Sequence, residues 1–135
     1  MAGRWPALDF EAEKSVYATV HAYLQVIGKL PTRALPWCNH SWHLAMLVTP
    51  TGFRTYPLPT ESGEAEILLD CLASRVVLTT SDGRERVMPL TGQSVAAFHS
   101  ELGDMLRDAG IVTSIDGSPN EVEEAIPFAQ DDAPR

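Results

Sequence analysis

Residues 64–90 read EAEILLDCLASRVVLTTSDGRERVMPL, and the fold follows from how this stretch pairs with itself. Ala65, Ile67, Leu69 and Cys71 alternate with Glu64, Glu66, Leu68 and Asp70, which is the period of a strand with one buried face. Arg75 to Thr80 is a second run, rich in β-branched residues. Ser81-Asp82-Gly83 follows it and is the strongest hairpin signal in the chain, because glycine accepts a positive φ without a Cβ clash. Arg84 to Leu90 then completes a meander, with Pro89 limiting its last strand.

Upstream, Ser41 to Thr49 reads as a strand with Trp42, Leu44, Met46 and Val48 on one face and His43, Ala45, Leu47 and Thr49 on the other. Pro50-Thr51-Gly52 turns the chain, and Phe53 to Leu58 returns as a strand that Pro57 and Pro59 shorten or place at an edge. A helix is expected from Phe10 to Ile27, capped by Asp9 and carrying Val16, Val20, Tyr23, Leu24 and Ile27 on one stripe. Gly28 is placed for a left-handed cap and Pro31 blocks continuation, so residues 28–40 read as a loop. Before this helix, Trp5 and Leu8 belong to an arm that covers an edge of the core.

Downstream, Ser94 caps a second helix, Val95 to Ala109, whose buried stripe holds Phe98, Leu102, Met105 and Leu106. Gly110 ends it, Ile111 to Ile115 reads as a short strand, and Asp116-Gly117-Ser118-Pro119 turns outward. The expected architecture is a two-layer α+β domain. It has a mostly antiparallel sheet of about five or six strands and two helices packed on one face. The expected domain spans residues 1–118. Residues 119–135, with Glu121, Glu123, Glu124, Asp131 and Asp132, read as an acidic tail or linker, either solvated or docked through Ile126 and Phe128.

The chain has 135 residues, enough for one domain with an adequate core. Its net charge of −8 argues against a broad nucleic-acid surface and against an anionic membrane. No signal-peptide pattern or run of about 20 apolar residues is present, so the cytoplasm is the expected location by elimination. Cys38 and Cys71 are expected to be free, and Cys71 to be an inert buried thiol beside Leu69. Walker loops, dinucleotide fingerprints and a Ser-His-Asp order are absent, and Gly28-Lys29 matches a phosphate loop in two letters only.

One segment concentrates polar and aromatic chemistry: Trp37-Cys38-Asn39-His40-Ser41-Trp42-His43. As a metal site, Cys38, His40 and His43 are suitable ligand types, but their spacing is poor and Cys71 and His99 would have to join from afar. As a pocket, His40 or His43 serves as acid or base, Asn39 orients a ligand, Trp37 or Trp42 stacks on it, and Lys29 and Arg33 hold an anion. As plain structure, Asn39 and His40 close the loop and Trp42 fills the core. His21 and His99 read as boundary residues of the two helix stripes.

Taken together, Gly28-Lys29, Asn39-His40-Ser41-Trp42-His43-Leu44, Thr49-Pro50-Thr51-Gly52, Thr80-Ser81-Asp82-Gly83-Arg84, Ser94-Val95-Ala96-Ala97-Phe98 and Ile126-Pro127-Phe128 resemble a bacterial family of unknown function, domain of unknown function 5996. The resemblance runs from Trp5-Pro6 to Phe128. It implies that Asn39, His40, Trp42 and His43 are a family motif, and it carries no established activity or cofactor. It also implies longer members with a second half, so this chain corresponds to an amino-terminal half or to a short member that pairs as a homodimer. The leading functional expectation is a small-molecule-binding domain built around this motif, with His40 and His43 as the candidates for catalysis. The alternative is a non-catalytic self-association or protein-interaction module.

Overall fold

The expected meander holds the centre of the sheet. The structure, a computed structural model, describes residues 7–135 apart from Val112 and Asp116. The arm expectation for Trp5 therefore lies outside the described residues, and Leu8 is exposed. The described strands are β1 (Leu47–Val48), β2 (Gly52–Arg54), β3 (Leu58–Thr60), β4 (Gly63–Asp70), β5 (Arg75–Thr80) and β6 (Glu85–Pro89). They form a six-stranded antiparallel sheet of order β1-β2-β4-β5-β6, with β3 also on β4. The helices are α1 (Phe10–Ile27), α2 (Lys29–Ala34) and α3 (Val95–Asp108), so the chain is an α+β domain.

Register explains the core. Ile67 pairs with Leu78, Leu69 with Val76, and Val76 with Met88, so all five side chains share one face. These residues are buried in a single cluster with Tyr23, Val26, Ile27 and Leu30 from the first two helices and Phe98, Leu102 and Leu106 from α3. The rings of Tyr23 and Phe98 stack at 4.1 Å between centroids. The caps read from the sequence are in place, with Asp9 accepting from the Ala12 N–H and Ser94 from the Ala97 N–H.

Five local expectations are corrected. Gly28 is right-handed, φ −61° and ψ −16°, and the chain passes straight into α2. Pro31 is the third residue of that helix, in the first turn where a backbone N–H has no helical partner, so it does not break it. Ser41 to Thr49 is not a strand. Asn39–Leu44 forms 3-10 turns kinked at His40 and Ser41, and pairing starts only at Leu47.

The expected strand from Phe53 to Leu58 is divided. Thr55 still exchanges bonds with Ile67, its N–H to the carbonyl at 3.0 Å and its Oγ1 from the N–H at 3.1 Å. Pro57 then has no N–H to give, and pairing resumes at Leu58. The short strand from Ile111 is absent at Ile111 and residues 113–115; Val112 is outside the described residues. Ile111 instead donates to the Leu106 carbonyl and Gly110, at φ 75°, to the Arg107 carbonyl, so this segment closes the end of α3.

Residues 117–135 return to the domain. Phe128 opens a 3-10 turn, Phe128–Gln130, and is 1% exposed within the core cluster. The Ala96 N–H donates to the Asp131 carbonyl at 3.0 Å, and the Phe128 N–H to that of Gly117 at 3.1 Å. Among the described residues no helix is long and apolar enough to cross a membrane.

Candidate functional site

The kinked turn at Asn39–Leu44 holds the one consecutive pair of left-handed non-glycine residues among the described residues. His40 (φ 54°) and Ser41 (φ 57°) are consecutive left-handed residues with a Cβ, a conformation of order 1–3 kcal/mol above the favoured wells. The Cys38 N–H donates to His43 Nδ1 at 3.1 Å, closing the turn from inside. That nitrogen must be the acceptor, so the neutral ring carries its proton on Nε2. The His40 and Trp42 rings lie 5.8 Å apart at 40°.

The structure brings the expected site residues together only in part. Asn39, His40 and Trp42 are exposed and His43 is half-buried. Trp42 is 65% exposed, so it does not fill the core, and Trp37 is 74% exposed. Among the described residues no three His, Cys, Asp or Glu side chains are grouped so as to hold a metal ion. Arg33 borders a cavity of about 390 Å³ with Leu30, Leu58, Glu61 and Leu106. Lys29 borders a different one.

That second cavity, about 300 Å³, lies where α1 meets α2. Its polar wall is a ladder at four-residue spacing: His21, Gln25 and Lys29. The ladder survives the helix junction because Gly28 stays right-handed. Asn120 locks it from the other side. Its N–H donates to Gln25 Oε1 at 3.1 Å, its carbonyl accepts from Gln25 Nε2 at 3.3 Å, and its Oδ1 accepts from Lys29 Nζ at 2.8 Å.

With the Gln25 carbonyl end so fixed, its amide nitrogen faces His21 Nε2 at 3.2 Å, and His21 accepts. Lys29 Nζ also stands 5.8 Å from the centre of the Phe128 ring. No carboxylate among the described residues is within ion-pair distance of it. Its apolar side chains are Leu24, Leu44 and Met46, and Thr32, whose hydroxyl donates to the Gly28 carbonyl at 2.9 Å, and the acid Glu121 also border it. Leu44 is the last residue of the kinked turn, which makes that turn one lip of the cleft.

Sequence reasoning placed Lys29 and missed the rest. The spacing of His21, Gln25 and Lys29 is legible, but only once the helix is known to run through Gly28. Asn120 has no local signal. Two other residues settle elsewhere: His99 Nε2 donates to the Ile115 carbonyl at 2.6 Å, and Cys71 is exposed just beyond β4 rather than buried. Partial shielding of its sulfur, then the nearby Asp70 charge, push the Cys71 thiol up, the direction of an unreactive group.

A family of unknown function, DUF5996, matches this chain over residues 5–135. The chain belongs to that family. No curated protein and no solved structure matches it. The DUF5996 match spans both the kinked turn and the cleft ladder, so the two features lie within the family's own extent.

Proposed function

We propose that this domain binds a small organic molecule in the cleft of His21, Gln25, Lys29, Leu44 and Met46, with the Asn39–Leu44 turn as its rim. The observation that carries this reading is the shared lining: a fixed polar ladder and the apolar side chains of Leu24, Leu44 and Met46 border one cleft of about 300 Å³, the mixture typical of ligand sites. The strained pair His40 and Ser41 adds weight, because such backbone is retained mainly where a surface is put to use. In this reading His40 and Trp42 border the opening, and Arg33 belongs to a neighbouring cavity.

The test is a thermal-shift screen of the purified chain against a broad metabolite panel, beside Lys29→Gln and Met46→Ser. A compound that raises the melting temperature of the native chain and of neither variant is the expected result. Stabilisation that survives both substitutions would place the ligand elsewhere and sink the reading.

A second reading rests on Trp37 and Trp42. Two tryptophans so exposed on one short segment are the side chains that anchor protein contacts, which fits a self-associating module. A homodimer through this turn would show in sedimentation at high micromolar concentration and disappear in Trp42→Ala. A monomer throughout would end it.

A further inference from the structure

We infer that the molecule held in the cleft is a monocarboxylate with an apolar body, its carboxylate on Lys29 and its hydrocarbon part on Leu24, Leu44 and Met46. This rests on the cleft reading above and adds the chemical class. Lys29 brings a positive charge to the cleft. Its ammonium has three N–H donors, and Asn120 Oδ1 takes one of them at 2.8 Å. The Phe128 ring shields one side without neutralising it. No described carboxylate pairs with it, although the chain carries 18 acids against 10 bases. A half-buried cation left unpaired in so acidic a protein is a site for an external anion.

The rest of the lining limits the anion's charge. The other titratable groups of the lining are His21 and Glu121. His21 uses Nε2 as an acceptor, so that nitrogen repels an anion rather than donating to it. Glu121 adds an acid at the opening. The lining has no arginine fork of the kind that grips phosphate. A lining with one lysine and one acid suits a single negative charge and opposes a dianion. Leu24, Leu44 and Met46 offer hydrocarbon and an adaptable thioether, and the Thr32 hydroxyl in the same lining is already given to the Gly28 carbonyl, so among these residues no side-chain donor is left over for a second polar end.

The experiment is isothermal titration of the full chain with hexanoate, hexanamide, hexylamine and inorganic phosphate, repeated on Lys29→Gln and Glu121→Gln, with circular dichroism to confirm that each variant is folded. The expected result is saturable binding of hexanoate at one site and at least a tenfold loss with hexanamide. Lys29→Gln should lose at least roughly tenfold, the value of one charge-assisted hydrogen bond. Glu121→Gln should tighten binding, by up to roughly fivefold for an exposed charge. Equal binding of hexanamide, or displacement of hexanoate by phosphate, overturns the carboxylate assignment while the cleft reading stands. If hexanoate fails to bind and the metabolite screen also finds no ligand dependent on Lys29, both fall.

Discussion

Replacing Phe128 by alanine tests whether residues 119–135 are part of the domain or a tail beside it. The ring is 1% exposed, sits in the same cluster as Ile67, Phe98 and Leu102, and lies 6.0 Å from the His99 ring. A buried phenylalanine cut to alanine costs about 3–5 kcal/mol, combining lost transfer energy with the cavity left behind. Domains of this size are stable by about 5–15 kcal/mol, so the loss is a large share. With a urea m-value of about 1–3 kcal/mol/M, the unfolding midpoint should fall by at least about 1 M. Ile126, two residues earlier and 50% exposed, is the internal control, and Ile126→Ala should cost under about 1 kcal/mol. Urea unfolding followed by circular dichroism measures both. A Phe128→Ala loss no larger than that of Ile126→Ala would refute the reasoning and return the segment to a tail. The same substitution removes the ring beside Lys29, so it should also weaken any ligand held there.

Gly52→Ala should be destabilising by at least roughly 1–3 kcal/mol in urea, because its Cβ would collide with the Leu69 carbonyl and meet the Cys71 nitrogen at 3.0 Å, both main chain of the paired strand. Stability should fall as pH drops from about 4 toward 2, since the Arg84 guanidinium, then the Thr80 hydroxyl, hold the Asp82 carboxyl down to about 2. A depressed carboxyl stabilises the fold above its unfolded pKa of 3.8 and ceases to as pH falls through its folded value, so Asp82→Asn should flatten the acid limb of melting temperature against pH; identical limbs would count against it. Burial raises the Tyr23 hydroxyl above its ordinary 10.0, so its contribution is complete below that pH and is lost as pH rises through the higher folded value. Tyr23→Phe should cost about 0.5–1.5 kcal/mol at neutral pH, through the lost bond to the Gln93 carbonyl, and remove part of the alkaline loss seen in melts above pH 10.

The sheet was legible because its signals are local. Ala65, Ile67 and Leu69 alternate without interruption, and Asp82-Gly83 can turn in few other ways, so pattern and register agree. The helix stripes were legible for the same reason. What misled was punctuation with two meanings. Glycine followed closely by proline normally ends a helix, yet Gly28 stays right-handed and Pro31 falls where the next helix asks nothing of its nitrogen. Trp42, Leu44, Met46 and Val48 imitate a strand face, but two left-handed residues just before them rotate the chain out of register. Nothing local marks that kink; the bond from the Cys38 N–H to His43 is what closes it.

Both misreadings bear on the same place. Had Gly28 ended the helix as expected, Lys29 would have left the face of His21 and Gln25 and no ladder would exist. Had residues 41–49 been a strand, Leu44 and Met46 would have been fixed by the pleat on the face expected for Trp42, rather than at the edge of α1. The continuation of the helix supplies the polar ladder, and the chain leaving the kink adds Leu44 and Met46 to Leu24 of α1. Asn120 then joins them, reaching Gln25 and Lys29 from 95 and 91 residues away along the chain. A segment placed by its own sequence preferences would not need that clasp. The three departures from local expectation thus meet in one cleft, where local rules are expected to give way to function.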